Sequence, residues 1–401
     1  MNKLTKYKFS DLYCMASGIS STKEQAGHGS PFLSFSVVFN NYFVPDILSD
    51  FMDTSEKEKE TYSIKAGDIF LTRTSEVVDE LAMSCVSVKD YPEATFSGFL
   101  KRLRPTQNDI TYPKFMAFYL RSPMFRKTMT NNAVMTLRAS LNEAIFSYLD
   151  LFLPTYSEQR KSGDLLYLLN QKIALNNRIN AELESMAKML YDYWFVQFDF
   201  PDANGKPYKT SGGKMVYNAT LKREIPAGWS TSSLGEIAEL YQPKTISGKD
   251  MVDDGEYLVY GANGIVGRFD EYNHADSVVT ITCRGNTCGN INITRPYSWV
   301  TGNAMVVRPK CDYINVYYIS NLLLMSEVEK VITGSAQPQI TRANLAPMKV
   351  ISPVPDVTKN FSIVVGSLFN KNIAILDENE KLSKLRDWLL PLLMNGQVTV
   401  K

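Results

Sequence analysis

The chain has 401 residues, 44% of them apolar and 11% aromatic, enough for two or three folded domains and too apolar for a disordered polymer. A net charge of +1 advertises no polyanion partner. Five irregularly spaced cysteines with only two histidines suggest neither a disulfide framework nor a zinc site. No apolar run approaches the roughly 20 residues that cross a bilayer, and the start at Met1 lacks a secretory apolar core, so a cytoplasmic chain without metal, cofactor or membrane contact is expected.

Taken in chain order, residues 1–154 read as a mixed α+β domain with β-like runs such as Asp68 to Arg73. Between Ala94 and Ala139 this domain carries eight basic residues against Asp109 alone, a charge distribution suited to phosphates. Residues 155–196 read as a long helix. It opens after Pro154 on a Thr155-x-x-Glu158 capping box and carries one glycine, Gly163. Leu165, Leu169, Lys172, Asn176, Ile179, Leu183, Met186, Leu190 and Tyr193 alternate at spacings of four and three, the seam of a coiled coil. Residues 197–229 are rich in turn signals and form a connector.

A second α+β domain is expected over 230–353, with strands at Ser277 to Arg284 and Ala304 to Val307 and four basic residues without an acid from Ser277 to Lys310. Residues 354–401 give a second long helix from about Asp356, ending between Pro391 and Gly396, and a tail. Its seam repeats the first as Val364, Leu368, Lys371, Ile375, Glu378, Leu382, Leu385, Leu389 and Leu392. Polar residues within such a seam lower stability and fix register.

The chain is one unit written twice. Residues 140–194 match 339–393 at a constant offset of 199, with Gly98, Arg104 and Pro105 matching Gly302, Arg308 and Pro309 at 204 and Arg73 matching Arg284 at 211. A repeat of this length is a domain plus a helix, and it implies a pseudo-two-fold object with two antiparallel helices. Motifs for a phosphate-cradling loop, a zinc protease and a nucleophile elbow are absent, as is the Asn/Asp-Pro-Pro-aromatic tetrapeptide that adenine methyltransferases use to hold the flipped base. Gly261 to Gly264 reads as a β-turn instead of a cofactor loop.

Several segments carry a family resemblance: LYDYWFVQFDFPDANGKPYKTSGGKMVYN (190–218), LKREIPAGWSTSSLGEIAEL (221–240), YGANGIVG (260–267), CRGNTCGNINIT (283–294), SWVTGNAMVV (298–307), GSAQPQITRANL (334–345) and LRDWLLPLLMNGQV (385–398). Together they resemble the specificity subunit of type I restriction-modification systems over nearly the whole chain. The first domain departs from the second, with GDIFLTRTS (67–75) where the second has CRGN. The resemblance implies a non-catalytic bacterial subunit with two target-recognition domains, each reading half of a bipartite site in double-stranded DNA. It further implies that the helix pair sets the spacer and docks two methyltransferase subunits, with restriction subunits joining through the complex. The other readings are the specificity part of a fused restriction enzyme and a coiled-coil scaffold without sequence-specific DNA binding.

Base readout favours arginine for guanine and asparagine or glutamine for adenine. Candidates are Arg284, Asn286, Ser335, Gln337, Gln339 and Arg342 in the second domain, and Arg73, Thr74, Arg138 and Asn142 in the first. Lys101, Arg102, Arg121 and Lys127 are expected on phosphates. Tyr191, Tyr193, Trp194 and Phe195 form either a methyltransferase docking face or core, and Trp388 is expected in the core.

Overall fold

The computed structural model describes residues 4–20, 22–75, 80–132, 139–140, 143–334 and 337–400. The chain divides into two compact units, residues 1–175 with 378–401 and residues 176–377. The division falls within both long helices, so each unit holds one globular domain and half of each helix.

The two domains share one strand plan. In the first unit, a four-stranded antiparallel sheet runs Tyr13–Ser17, Leu100–Pro105, Ile69–Thr72, Ser84–Val86. The second unit repeats it as Ala238–Tyr241, Ala304–Pro309, Val279–Thr282, Ile291–Ile293. A three-stranded sheet accompanies each: Asp50–Met52, Ala26–Leu33, Thr95–Phe96 in one, and Gly264–Phe269, Tyr257–Gly261, Ser298–Val300 in the other. A two-stranded ladder lies just before each long helix, Thr5–Lys8 on Asp150–Leu153 and Ser230–Ser233 on Lys349–Ser352. Alternation of buried and exposed residues there is slight because the central strands are covered on both faces; Ile69–Thr72 and Val279–Thr282 are buried throughout.

Sheet register corrects the repeat alignment. Ile69 faces Leu103 and Val279 faces Val307, which places residue 69 on 279 at an offset of 210 once 103 is placed on 307. The loops agree, since Arg73 N–H donates to Phe99 O at 2.9 Å and Cys283 N–H to Asn303 O at 3.2 Å. Arg73 therefore corresponds to Cys283, and Thr74 to Arg284. In extended chain a shift of one residue exchanges the two faces, so the arginine match at 211 compares side chains of opposite direction.

The first long helix covers Tyr156–Tyr191 and continues into a π-helical turn, Asp192–Val196. The capping box forms as expected: Glu158 Oε2 accepts from Thr155 N–H at 3.1 Å, and Glu158 N–H donates to Thr155 Oγ1 at 3.4 Å. Gly163 admits the helix Pro113–Tyr119, because a Cβ there would lie 2.7 Å from the backbone N of Phe115. The second long helix covers Pro355–Met394. Gly396, at φ +70°, follows it.

Within each unit the two half-helices run antiparallel. In the first, Leu166 shares a core with Leu390, Leu393 and Met394, while Lys172 reaches Glu378 at 3.2 Å. In the second, the Tyr191 and Phe361 rings lie 5.9 Å apart and Asn372 donates to Glu184 at 3.3 Å.

The seam follows the expected one in part: Asn176 and Ile375 are buried, and Leu165, Leu169, Ile179, Leu183, Leu190, Leu368, Leu382, Leu389 and Leu392 are half-buried. Asn176 and Asn180 are buried and Ile173 is half-buried, whereas Lys172, Met186 and Tyr193 are exposed. On the second helix Phe361, Val365, Asn372, Ile375, Asn379 and Leu390 are buried, whereas Val364, Lys371 and Leu385 are exposed. Four asparagines thus occupy inward positions. The departures lie at six positions of the expected seam, where a straight helix drifts against a 3.5-residue repeat. Trp388 sits outside the inward stripe and is 64% exposed, correcting its expected place in the core.

The connector is more ordered than its turn signals suggest. Residues Met215–Asn218 and Arg223–Pro226 pair as a hairpin, and Phe198, Phe200 and Trp229 are buried in the second unit's core, with Phe200 stacked 5.0 Å from Trp229.

Candidate nucleic-acid interface

In the second unit, the end of the central strand Val279–Thr282 meets a loop leading to the short helix Arg342–Leu345. Arg284 and Gln339 form an antiparallel bridge, Gly285 N–H donates to Pro338 O at 3.1 Å, and Ile340 N–H to Cys283 O at 2.9 Å. Gln339 also exchanges two backbone hydrogen bonds with Thr333, at 2.9 and 2.8 Å. Thr341 caps the short helix through Asn344 N–H. This lattice fixes the backbone and leaves the side chains of Arg284, Asn286, Gln337, Gln339 and Arg342 exposed. Gly285, at φ +88°, supplies the left-handed turn that a side chain would strain.

Five candidates are therefore gathered on one platform of guanidinium and carboxamide groups. Such groups offer two-bond recognition of guanine and adenine edges. Ser335 lies outside the described residues.

The first unit builds the same frame. Thr74 bridges Ser140 and Ser75 bridges Ala139, which are the positions of Arg284, Gln339, Gly285 and Pro338 under the offsets of 210 and 199. Arg73 is exposed and Thr74 half-buried beside this ladder. Arg138 and Asn142 lie outside the described residues.

The residues expected on phosphates divide. Lys127 is exposed, and Lys101 Nζ donates to Ser17 Oγ at 2.7 Å on the sheet edge. Arg102 and Arg121 are braces. Arg102 is buried and donates to Ser63 O at 2.8 Å and Thr61 O at 3.4 Å. Arg121 donates through Nε to Ser84 O at 2.7 Å and through Nη2 to Val38, Phe39 and Asn41 carbonyls at 2.8 to 2.9 Å. Burial pushes both guanidinium groups below their ordinary value. Charge counting cannot see this, because carbonyls at the end of the helix Phe35–Asn40 need donors just as phosphates do. Arg104 is likewise engaged, by Asp68 at 2.7 Å to each carboxylate oxygen.

The aromatic cluster is mainly core. Tyr191, Trp194 and Phe195 are buried among Phe361, Tyr318 and Trp229 in the second unit, which excludes them as a docking face; Tyr193 alone is open, at 37%. Exposed Met186 and Met189 stand near it on the helix, and Met325 lines the same surface hollow.

Residues 10–185 and 226–381 each match the type I restriction modification DNA specificity domain. The chain belongs to that family. In both copies the matched stretch runs from a globular domain into its long helix, the same unit that the sequence repeats. The HindI specificity subunit of Haemophilus influenzae is 22% identical over 92% of this chain and 94% of its own length. The MjaIX specificity subunit of Methanocaldococcus jannaschii is 23% identical over 62% of this chain, and the match spans 60% of that subunit. A crystal structure of the type I restriction-modification S subunit from M. genitalium shares the fold, with a TM-score of 0.61 at 16% identity over 98% of this chain and 96% of the other. Among the described residues no helix is long and apolar enough to cross a membrane.

For this specificity-family chain, two exposed positions beside the platforms had escaped the sequence reading. Phe99 and Asn303 follow the repeat-matched Gly98 and Gly302, and their carbonyls receive the amides of Arg73 and Cys283. The glycine pair was the available signal.

Proposed function

We propose that this chain is the non-catalytic DNA-reading subunit of a type I restriction-modification complex. Each domain reads one half of a bipartite site in double-stranded DNA, while two methyltransferase subunits and, through them, restriction subunits supply the chemistry. One observation carries the reading: the same backbone frame occurs twice with different side chains upon it, Arg284 and Gln339 in one domain and Thr74 and Ser140 in the other. A duplicated scaffold with unlike reading groups suits two unlike half-sites.

The residues retained for base contact are Arg73, Thr74, Arg138 and Asn142 in the domain of residues 1–154, and Arg284, Asn286, Ser335, Gln337, Gln339 and Arg342 in that of 230–353. Lys101 and Lys127 are retained for phosphates. The helix pair sets the unread spacer; its members of 36 and 40 residues are ~54 and ~60 Å long. Tyr193, with Met186 and Met189, is the part of the expected docking face still available to a methyltransferase.

The test is an exchange of residues 230–353 for those of a relative, with the host's methylated sites mapped by sequencing. One half of the methylated sequence should change while the other stays. A change in both halves, or in neither, refutes the assignment.

A further inference from the structure

Phe99 is 66% exposed, although its chain neighbours Phe96 and Leu100 are fully buried. A lone exposed aromatic needs no explanation by itself. This one is held in place by an unusually complete frame. Gly98 N–H donates to Ile19 O at 2.7 Å, Leu100 N–H to Ser97 O at 2.9 Å, and Phe99 N–H to Ser97 Oγ at 3.2 Å. Gly98 has no room for a Cβ, which would lie 2.8 Å from Ile19 O. The backbone of the turn is thus tied at both sides of the ring, and position 98 must stay glycine.

Its position in the domain gives this frame a meaning. The Phe99 carbonyl accepts from Arg73 N–H at 2.9 Å, so the ring's backbone is tied directly to the loop that leads into the Thr74–Ser140 ladder. The second domain repeats the arrangement: Asn303 is exposed, its carbonyl accepts from Cys283 N–H, and a Cβ at Gly302 would lie 2.9 Å from the backbone O of Pro243. Both turns hold the backbone that carries an exposed side chain beside the reading platform. In one domain that side chain is apolar, and in the other it is a carboxamide.

We propose that positions 99 and 303 are paired specificity determinants, with Phe99 packing on the C5-methyl of a thymine in the half-site of the first domain and Asn303 gripping an adenine in that of the second. The inference rests on the DNA-reading function proposed above. A phenyl ring makes no hydrogen bond to a base edge, and the thymine methyl is the apolar feature that the major groove displays; a carboxamide matches adenine N6 and N7.

The test uses the full chain in complex with its methyltransferase and duplexes carrying the mapped site. Thymines of the first half-site are replaced one at a time by uracil, which removes only the methyl. The wild-type complex should lose affinity by about fourfold at one position, the worth of one buried methyl group. Phe99→Ala should bind more weakly and be indifferent to that replacement, while Phe99→Leu keeps the sensitivity. Replacing the adenines of the other half-site one at a time by 7-deazaadenine should weaken the wild type at a position where Asn303→Ala is indifferent, and an Asn303→Ala variant as sensitive as the wild type at every adenine overturns that half of the proposal. Unchanged melting temperatures of these surface variants exclude a folding defect. A wild type indifferent to every methyl, or a Phe99→Ala variant that stays sensitive, overturns the proposal. A wild type that prefers no sequence at all refutes the DNA-reading function itself.

Discussion

Arg121→Met should destabilise the first unit by ~3 kcal/mol and leave the salt dependence of DNA binding unchanged. The guanidinium donates to four carbonyls, three of them (Val38, Phe39 and Asn41) at the C-terminal end of the helix Phe35–Asn40 and the fourth on the strand Ser84–Val86. It also lies 4.9 Å from the centre of the Tyr42 ring. Hydrogen bonds involving a charged group contribute ~1.5–3 kcal/mol each, but carbonyls near the surface recover water when the donor is lost, so the four do not add. A positive charge at a helix C-terminus adds up to ~1 kcal/mol. Methionine keeps the aliphatic volume and isolates the polar contribution. In a unit of about 200 residues, ~3 kcal/mol lowers the melting temperature by roughly 6–12 °C. Calorimetry of the variant and of Lys127→Met, with DNA titrations at several salt concentrations, separates brace from phosphate contact. An unaltered melting temperature for Arg121→Met, together with a salt slope reduced by about one, would refute the bracing role.

Asn180 is buried in the second unit, and neither atom of its carboxamide has a hydrogen-bond partner among the described residues, so Asn180→Leu should stabilise the helix pair by ~2 kcal/mol; a lowered melting temperature would count against it. His274 Nδ1 lies 2.6 Å from Asn273 Oδ1 and Nε2 lies 2.8 Å from Tyr241 Oη, partners that satisfy a neutral ring. Burial, with the nearby Arg308 charge, depresses its pKa, so the folded state binds fewer protons and stability should fall as pH drops below about 6.5; His274→Gln should flatten that fall, and an unchanged pH profile would refute the cause. Adding one heptad after Ile179 and one after Glu378 lengthens each helix by ~10 Å and should shift the recognised spacer by at most ~3 base pairs with base preferences intact. Methylation at only the original spacing by the folded variant would show that the helices do not set the distance.

The duplication, the two α+β blocks, both helices and the capping box were legible because each rests on local chemistry: spacing, turn residues, and a Thr155–Glu158 pair three positions apart. Antiparallel pairing followed from the repeat. The seam was legible only in part. Asn176 was expected in the seam, but Asn180, Asn372 and Asn379 are buried without an apolar signal to place them there, while Met186, Val364 and Leu385 point outward. Trp388, expected in the core, is exposed as well. The braces were also illegible, since Arg102 and Arg121 look like surface charge until the carbonyls they satisfy are known. The alignment of Arg73 with Arg284 failed through insertions between the two strands of one sheet, which only the ladder register exposes.

Comparison of the two domains separates what the frame requires from what it carries. Lys101 and Arg102 correspond to buried Met305 and Val306, and Asp68, which holds Arg104 in the first domain, corresponds to buried Val278. Each domain therefore stabilises the sheet in its own way, with a polar bracing network in one and apolar packing in the other. The amide–carbonyl link from Arg73 to Phe99 and from Cys283 to Asn303 is common to both, and it involves no side chain. Because that backbone link fixes the platform, exposed residues such as Arg284, Gln339, Phe99 and Asn303 can change with little effect on stability, as surface positions generally do. Buried Arg102 has no such freedom, since its loss removes a donor from the Thr61 carbonyl and leaves the Ser63 carbonyl to Arg104 alone. New DNA specificity in this fold should consequently arise by substitution at the platform, while the braces stay with their own domain.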